Sequence, residues 1–297
     1  MSPEFFIAIV AGLGGMLGWG LADFFAKKTI DRIGDVVSLA WAGAFGSIVF
    51  IAAALYRVGM GGTLSFPHDA PTWLLLAFFG ALQAAVYLFA YRAFSKGQIA
   101  LLNPIFASFS GIVALISIFF LREASGPLQL AFVAVIFAGV LCINIDVAAL
   151  RGHRIKFLGV PGFREIVIAT FLAALWTVLW DLFVKGQDSL AYALAMFVFM
   201  TIAVFAFAFA RGLPVRVRDG SIWLFLFLIG ACETVAYLAI TYGYGATSYV
   251  SVVSVLSGAF SLPTILLARV FLKEKVTGTQ ALGSFVIIAG IVLLALV

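Results

Sequence analysis

The sequence predicts an all-α membrane protein of ten transmembrane helices, built as a 5+5 inverted repeat around a central cavity. Three observations predict it. The chain is 64% hydrophobic and only 10% charged, too apolar for a water-soluble domain, which is closer to half apolar. Charge-free stretches of about 20 residues, the length needed to cross a bilayer core, recur along it. Finally, the second half repeats the first. Trp73-Leu-Leu-Leu-Ala-Phe-Phe-Gly80-Ala81 aligns with Trp223-Leu-Phe-Leu-Phe-Leu-Ile-Gly230-Ala231 at an offset of 150 residues. Leu121-Arg122-Glu123 aligns with Leu272-Lys273-Glu274, and Gly139 with Gly290, at an offset of 151. Asp23-x-x-x-Lys27 aligns with Asp181-x-x-x-Lys185 at an offset of 158. Five crossings per half would turn the second copy, 151–297, upside down relative to the first, 1–150, as in many secondary transporters.

The expected spans run in order along the chain. The first, 5–27, ends at Lys27-Lys28; with no basic segment before it and no small-residue cleavage site, it reads as a span and not a signal peptide. The second, 36–56, ends at Arg57. The third, 71–94, opens on Pro71 and the interfacial Trp73. The fourth, 99–121, contains Asn103-Pro104, Ser108 and Ser110. The fifth, 127–147, opens on Pro127, and 148–164 links the halves. The sixth is 165–183 and the charge-free seventh 189–210. The window 234–268 is too long for one span and is expected to break at Tyr242-Gly-Tyr-Gly-Ala-Thr-Ser248, giving an eighth span 221–242 and a ninth 248–271. The ninth carries Ser251, Ser254, Ser257, Ser261 and Pro263. The tenth is 278–297. The runs are continuously apolar and do not alternate, which excludes β-barrel strands.

Basic residues divide unevenly. Fifteen of the 18 Lys and Arg fall in odd-numbered loops, and only Arg57, Arg122 and Lys185 fall on the other side. The positive-inside rule places the odd loops in the cytoplasm and both termini outside, in a plasma (inner) membrane. Topology and anionic headgroups account for the net charge of +5 without nucleic acid. Cys142 and Cys232 read as small residues within spans, not as a disulfide. No nucleotide-binding loop, HExxH motif or Cys/His cluster is present, and His68 and His153 lie in loops. No cofactor, metal or enzymatic activity is expected.

The chemistry-bearing residues are few. Glu233 falls near the middle of the eighth span, where a carboxyl marks a pathway by default; a neutral acid bonded between helices is the alternative. Glu233, Tyr237, Thr241 and Tyr244 share one helical face, and Gln83, Tyr87 and Tyr91 form the same stripe on the third span. The stripes line one cavity or form a polar seam between packed helices. Asp23 is expected close to the interface, as an ion pair with Lys27 at i+4 or as a pathway residue. Asp181 mirrors it on the other face. Trp176 and Trp180 precede Asp181 and would stack on a substrate or simply pack or face lipid. Gly14-x-x-x-Gly18 reads as a close-contact face, within the bundle or between two chains; a monomer and a homodimer both fit.

The stretch Leu272-Lys-Glu274-Lys-Val-Thr-Gly-Thr-Gln280-Ala-Leu-Gly283-Ser-Phe-Val-Ile-Ile-Ala-Gly290 resembles the L-x-E-x(5)-Q-x-x-G-x(6)-G ending of the ten-span EamA-like family in the drug/metabolite transporter superfamily. The first half keeps Glu123, Gln129 and Gly139 but has Phe132 in place of the glycine. The resemblance implies a five-plus-five bundle with a shared cavity that moves small organic metabolites, often outward. Members are often drawn with cytoplasmic termini, opposite to the charge division here. Cavity residues Glu233 and Asp181 with Tyr and Trp favour a cationic or zwitterionic substrate such as an amine or amino acid, with Glu233 as the site of any proton exchange. Phosphorylated substrates would want mid-membrane Lys or Arg. The alternatives are flipping of a lipid-linked substrate, an intramembrane enzyme, and a non-transporting receptor with a closed bundle.

Overall fold

The computed structural model describes residues 2–96, 102, 105–121, 126–144, 161–271 and 278–296. Arg122-Glu123, Leu272-Lys273-Glu274, Asn103-Pro104, His153, most of the link between halves and the Lys27 side chain lie outside the described residues. The helices are α1 (Pro3–Ile33), α2 (Asp35–Gly59), α3 (Ala70–Lys96), α4 (Phe109–Phe119), α5 (Pro127–Asn144), α6 (Phe163–Val184), α7 (Ser189–Ala210), α8 (Trp223–Ala246), α9 (Val250–Gly258), α10 (Ser261–Phe271) and α11 (Gly278–Ala295). A 3-10 turn, Gly220–Ile222, leads into α8. The described residues contain no strand.

Six helices are long and apolar enough to cross a bilayer, and four shorter apolar stretches accompany them: Ile105–Phe119, Pro127–Cys142, Val250–Thr264 and Ala281–Leu294. Large side chains such as Leu55, Phe119 and Phe285 face outward, more than two-thirds exposed. In water such a surface would aggregate; in lipid it is the solvated face. The chain is therefore an all-helical, multi-pass membrane protein.

The helix bounds differ from expectation in four places. α1 continues past Lys27-Lys28 to Ile33 and stops at Gly34, whose φ of 84° ends the helix at no steric cost. Charged residues do not break a helix; they only carry it out of the hydrocarbon. The break expected within 242–248 falls at Thr247, and α8 runs through Gly243 and Gly245, four residues past its expected end at Tyr242. A Cβ on Gly243 would sit 2.6 Å from the Ala11 Cβ, so this glycine serves close packing inside a helix. Thr247 Oγ1 then donates back to the Gly243 carbonyl at 2.9 Å. The expected ninth span is two helices, α9 and α10, interrupted at Ala259-Phe260. Pro263 in the first turn of α10 explains the interruption, because its ring excludes the carbonyl four residues back from a continuous helix. The fourth span is likewise interrupted, at Ser108.

Packing is reciprocal between the halves. α1 packs on α8 and α6 on α3; α8 packs on α2 and α3 on α7; α2 meets α7, α4 meets α9 and α5 meets α11. Small residues set these approaches. A Cβ on Gly18 would lie 2.6 Å from the Cys232 carbonyl oxygen and one on Gly14 2.7 Å from the Ala239 Cβ, so the Gly14-x-x-x-Gly18 face is used inside the molecule, against α8. Gly139 faces Ile287, and Gly290 faces Ile136. Gly80 abuts α7, while its counterpart Gly230 abuts α2. Cys142 and Cys232 are free.

Ion pairs close both ends of the bundle. Arg32–Asp219 at 3.3 Å and Lys96–Glu165 at 2.5 Å lie at one end, and Arg57–Asp188 at 2.9 Å lies at the other.

A methyl group on Gly230 would sit 2.5 Å from the Ala42 carbonyl oxygen, a backbone atom that cannot rotate away. Gly230→Ala should cost about 1–3 kcal/mol and lower the midpoint of thermal unfolding in detergent. Gly59→Ala, where nothing lies within 4 Å, should leave it unchanged. Equal midpoints for both variants would disprove the close approach of α8 to α2.

Candidate functional site

The close fit at Gly80 and Gly230 sets the position of the polar stripes on the same two helices. Three residues on, Gln83 and Glu233 occupy equivalent places in the repeat; Tyr87 and Tyr237 come one turn later, and Tyr91 and Thr241 a turn after that. All six are buried. The bonds between the stripes are reciprocal. Gln83 Nε2 donates to Tyr237 Oη at 2.5 Å, and Tyr87 Oη donates to Glu233 Oε2 at 2.9 Å. α3 and α8 are not packed neighbours. Long side chains bridge the gap between them, and space remains beside the bridge.

That space is a cavity whose empty volume, open solvent included, is about 460 Å³. Its apolar wall carries Trp19, Tyr87, Phe106, Phe109, Trp176 and Phe260; its polar groups are Asp23, Gln83, Thr177 and Glu233, and no Lys, Arg or His among the described residues lines it. Phe109 and Phe260 stand 151 residues apart, beside the interruptions in the fourth and ninth spans. Irregular backbone at membrane depth is tolerated where it borders protein or a cavity, and both interruptions deliver a ring to this one. Trp19 is held edge-on by Phe109, Tyr237 and Phe260, with centroids 6.5, 5.8 and 6.3 Å away.

Of the expected site residues, Glu233, Gln83, Tyr87, Trp176 and Asp23 meet at the cavity. Asp23, read as an ion-pair or a pathway residue, lines the cavity, and α1 extends ten residues beyond it. Tyr91 packs edge-on against Tyr87 at 6.0 Å. Tyr237, Thr241, Trp180 and Asp181 lie behind the wall, in a layer that closes the bundle on the Arg57–Asp188 side. There Trp176 and Trp180 stack at 5.3 Å and 17°. The Trp180 indole donates to Thr241 Oγ1 at 3.1 Å, and the Trp176 indole to the Phe79 carbonyl at 3.2 Å. Asp181, its side chain fully buried, accepts from Lys185 Nζ at 3.0 Å. Tyr244 and Ser254 hydroxyls pair at 3.1 Å. Both tryptophans are buried, 2% and 0% exposed, so neither faces lipid. The cavity lies between this layer and the Arg32–Asp219 end.

Trp19, Phe106, Phe109, Thr177 and Phe260 were not singled out from sequence. Trp19 was legible, one turn before Asp23 on the same face. Phe109 and Phe260 share the offset of Gly139 and Gly290. Nothing in the sequence marks Phe106.

At the closed end Asp188 caps α7. It accepts from the Leu190 and Ala191 amides at 3.1 and 3.2 Å, from the Ser65 amide at 3.1 Å and from Arg57 Nη1 at 2.9 Å. Burial pushes its carboxyl up, but the Ala191 and Ser65 amides and the Arg57 guanidinium outweigh that and hold it below the usual carboxylate range. One side chain thus ties the 60–69 segment to the start of α7. Among the described residues no cluster of His, Cys, Asp and Glu has metal-ligand geometry.

A sequence model of the EamA-like transporter family matches twice, over residues 6–145 and 162–296. One solved structure, described only as the crystal structure of a protein, superposes with a TM-score of 0.79 at 20% identity, covering 97% of this chain and 98% of its own. That likeness concerns the fold alone. No curated protein matches.

Because the carboxyl of Asp188 titrates below its unfolded value, its contribution to stability is complete at neutral pH and fades as pH falls through the depressed value. Asp188→Asn should lower the unfolding midpoint at pH 7 and flatten its decline in acid. An unchanged acid profile in the variant would show that the cap carries none of the dependence.

Proposed function

Because this chain belongs to the EamA-like transporter family, we propose that it is a secondary active transporter of small organic cations or zwitterions, such as amines or amino acids, working by alternating access. The observation that carries the reading is the Glu233 carboxyl, held by Tyr87 on the wall of an aromatic cavity that has no basic residue among those described. Glu233 is the eleventh residue of α8, roughly 15 Å along it at about 1.5 Å per residue and so near the membrane middle. Aromatic faces attract an ammonium group, and the carboxyl supplies the compensating charge. An anionic substrate would find nothing on this wall to neutralise it.

Two five-helix repeats, 1–150 and 151–297, with the second inverted, account for the reciprocal packing and for the double family match. On this reading the six long helices and the four shorter stretches make ten crossings. The odd loops are cytoplasmic by charge, and the cavity lies toward their end while the Trp176–Trp180 layer closes the other. Substrate then loads from the cytoplasm, and the direction is efflux across the plasma membrane. Export would reverse the arrangement, opening the tryptophan layer and closing the Arg32–Asp219 end. Glu233 binds substrate and proton in turn, which couples them by competition for one group.

In proteoliposomes, Glu233→Gln should reduce amine transport at least tenfold and abolish its response to an imposed proton gradient. Transport by the variant equal to the parent's at every gradient would remove the carboxyl from the mechanism.

A further inference from the structure

Gln83 stands where the other half carries Glu233, and its amide is only half used. Nε2 donates to Tyr237 Oη at 2.5 Å, whereas Oε1 has no partner. Gln83 is 5% exposed and lines the cavity. A buried carbonyl oxygen without a donor is uncommon and costly. The amide cannot be turned to advantage: exchanging its two ends would leave the NH₂ unmatched in place of the oxygen. The other donors on the wall do not satisfy it: the Tyr87 hydroxyl is committed to Glu233, and the Trp19 indole N–H is itself without a partner. No described Lys, Arg or His on the wall supplies the donor.

We infer that Gln83 determines which cations the site accepts: its Oε1 takes an N–H from an ammonium substrate seated at Glu233, so protonated primary amines are bound and quaternary ammonium ions are discriminated against. This rests on the cationic reading of the cavity. Charge and aromatic faces serve both classes of cation alike, since attraction to a ring needs no N–H. The amide oxygen does not. A methylated nitrogen buries that oxygen unpaired, and sites built around a hydrogen bond reject analogues that cannot make it far better than apolar pockets reject an extra methyl. The division of labour also explains why equivalent positions differ. Glu233 supplies charge, and Gln83 supplies a neutral acceptor that adds no second charge.

The test is calorimetric titration of the full chain in detergent at pH 7 with phenethylamine and its N,N,N-trimethyl analogue. The parent should bind the primary amine at least about tenfold more tightly. Gln83→Leu should weaken the primary amine about tenfold and leave the quaternary ion unchanged, bringing the ratio close to one. Binding of the quaternary ion also reports that the variant is folded; Gln83→Met gives the same comparison if Gln83→Leu is not recovered. Equal affinities in the parent, or an undiminished ratio in the variant, overturn the role of Gln83. In those cases weakening of both cations by Glu233→Gln would still uphold the cationic site, whereas failure of the parent to bind either cation overturns both readings.

Discussion

A carboxyl group buried among apolar helices must be given its surroundings by the protein, since a charge withdrawn from bulk water without partners is costly. The architecture around Glu233 meets that requirement. Tyr87 supplies a hydroxyl from the opposite half, and the tyrosine can reach because α3 and α8 stand apart. They stand apart because each is drawn against a different neighbour at its own glycine, Gly80 on α7 and Gly230 on α2. Close packing at two points thus creates open space at a third. Interhelical bonds in a membrane are individually modest, on the order of 0.6 kcal/mol, so the fold rests more on the small-residue contacts than on the polar bridge.

The same exchange rule governs most of the bundle. Most contacts between a helix of the first half and one of the second have a counterpart with the roles swapped, or else join two equivalent helices, as α5 and α11 do; the packing of α9 and α10 on α5 is not matched by α4 on α11 among the described residues. The hydrogen bonds of the cavity obey it at the level of atoms, with Gln83–Tyr237 answering Tyr87–Glu233. The ends of the bundle do not look alike. One is filled by stacked indoles and a buried Asp181 paired with the partly exposed Lys185, and beneath the other lies the cavity with Asp23, the counterpart of Asp181. A pseudo-symmetric sequence has taken an asymmetric shape.

The helical, membrane-embedded class was legible because solvent preference is written in composition, and most spans because a bilayer demands an apolar run of fixed length. Ser189–Ala210 came out with both bounds as expected. Interruptions were harder to read. Gly243 and Gly245 look like breakers in isolation, but neighbouring helices need their missing side chains, and the break moves on to Thr247. α1 runs further than expected because charged residues were taken to end it. The stripes on α3 and α8 were legible as faces and as mutual counterparts. Which of their members reach the cavity was not, because that depends on how far the helices are pulled apart. The layer around Trp180 depends on contacts between residues far apart in the chain, such as Trp180 with Thr241, and no local pattern reports those.

Gln83 standing opposite Glu233 has an electrical consequence. Two identical halves would place a pair of acids in the same chamber. Joined in one polypeptide, the halves are free to differ, and here one position holds the acid and its counterpart the uncharged isostere. On the proposed cycle, the Glu233 carboxyl alone is exchanged, its one unit of charge balanced either by a proton or by a singly charged passenger, while Asp23 stays the chamber's second acid throughout. The loaded carrier would be the same electrically whichever it holds. The membrane voltage would exert little pull on that step, leaving concentration and acidity differences as the driving forces.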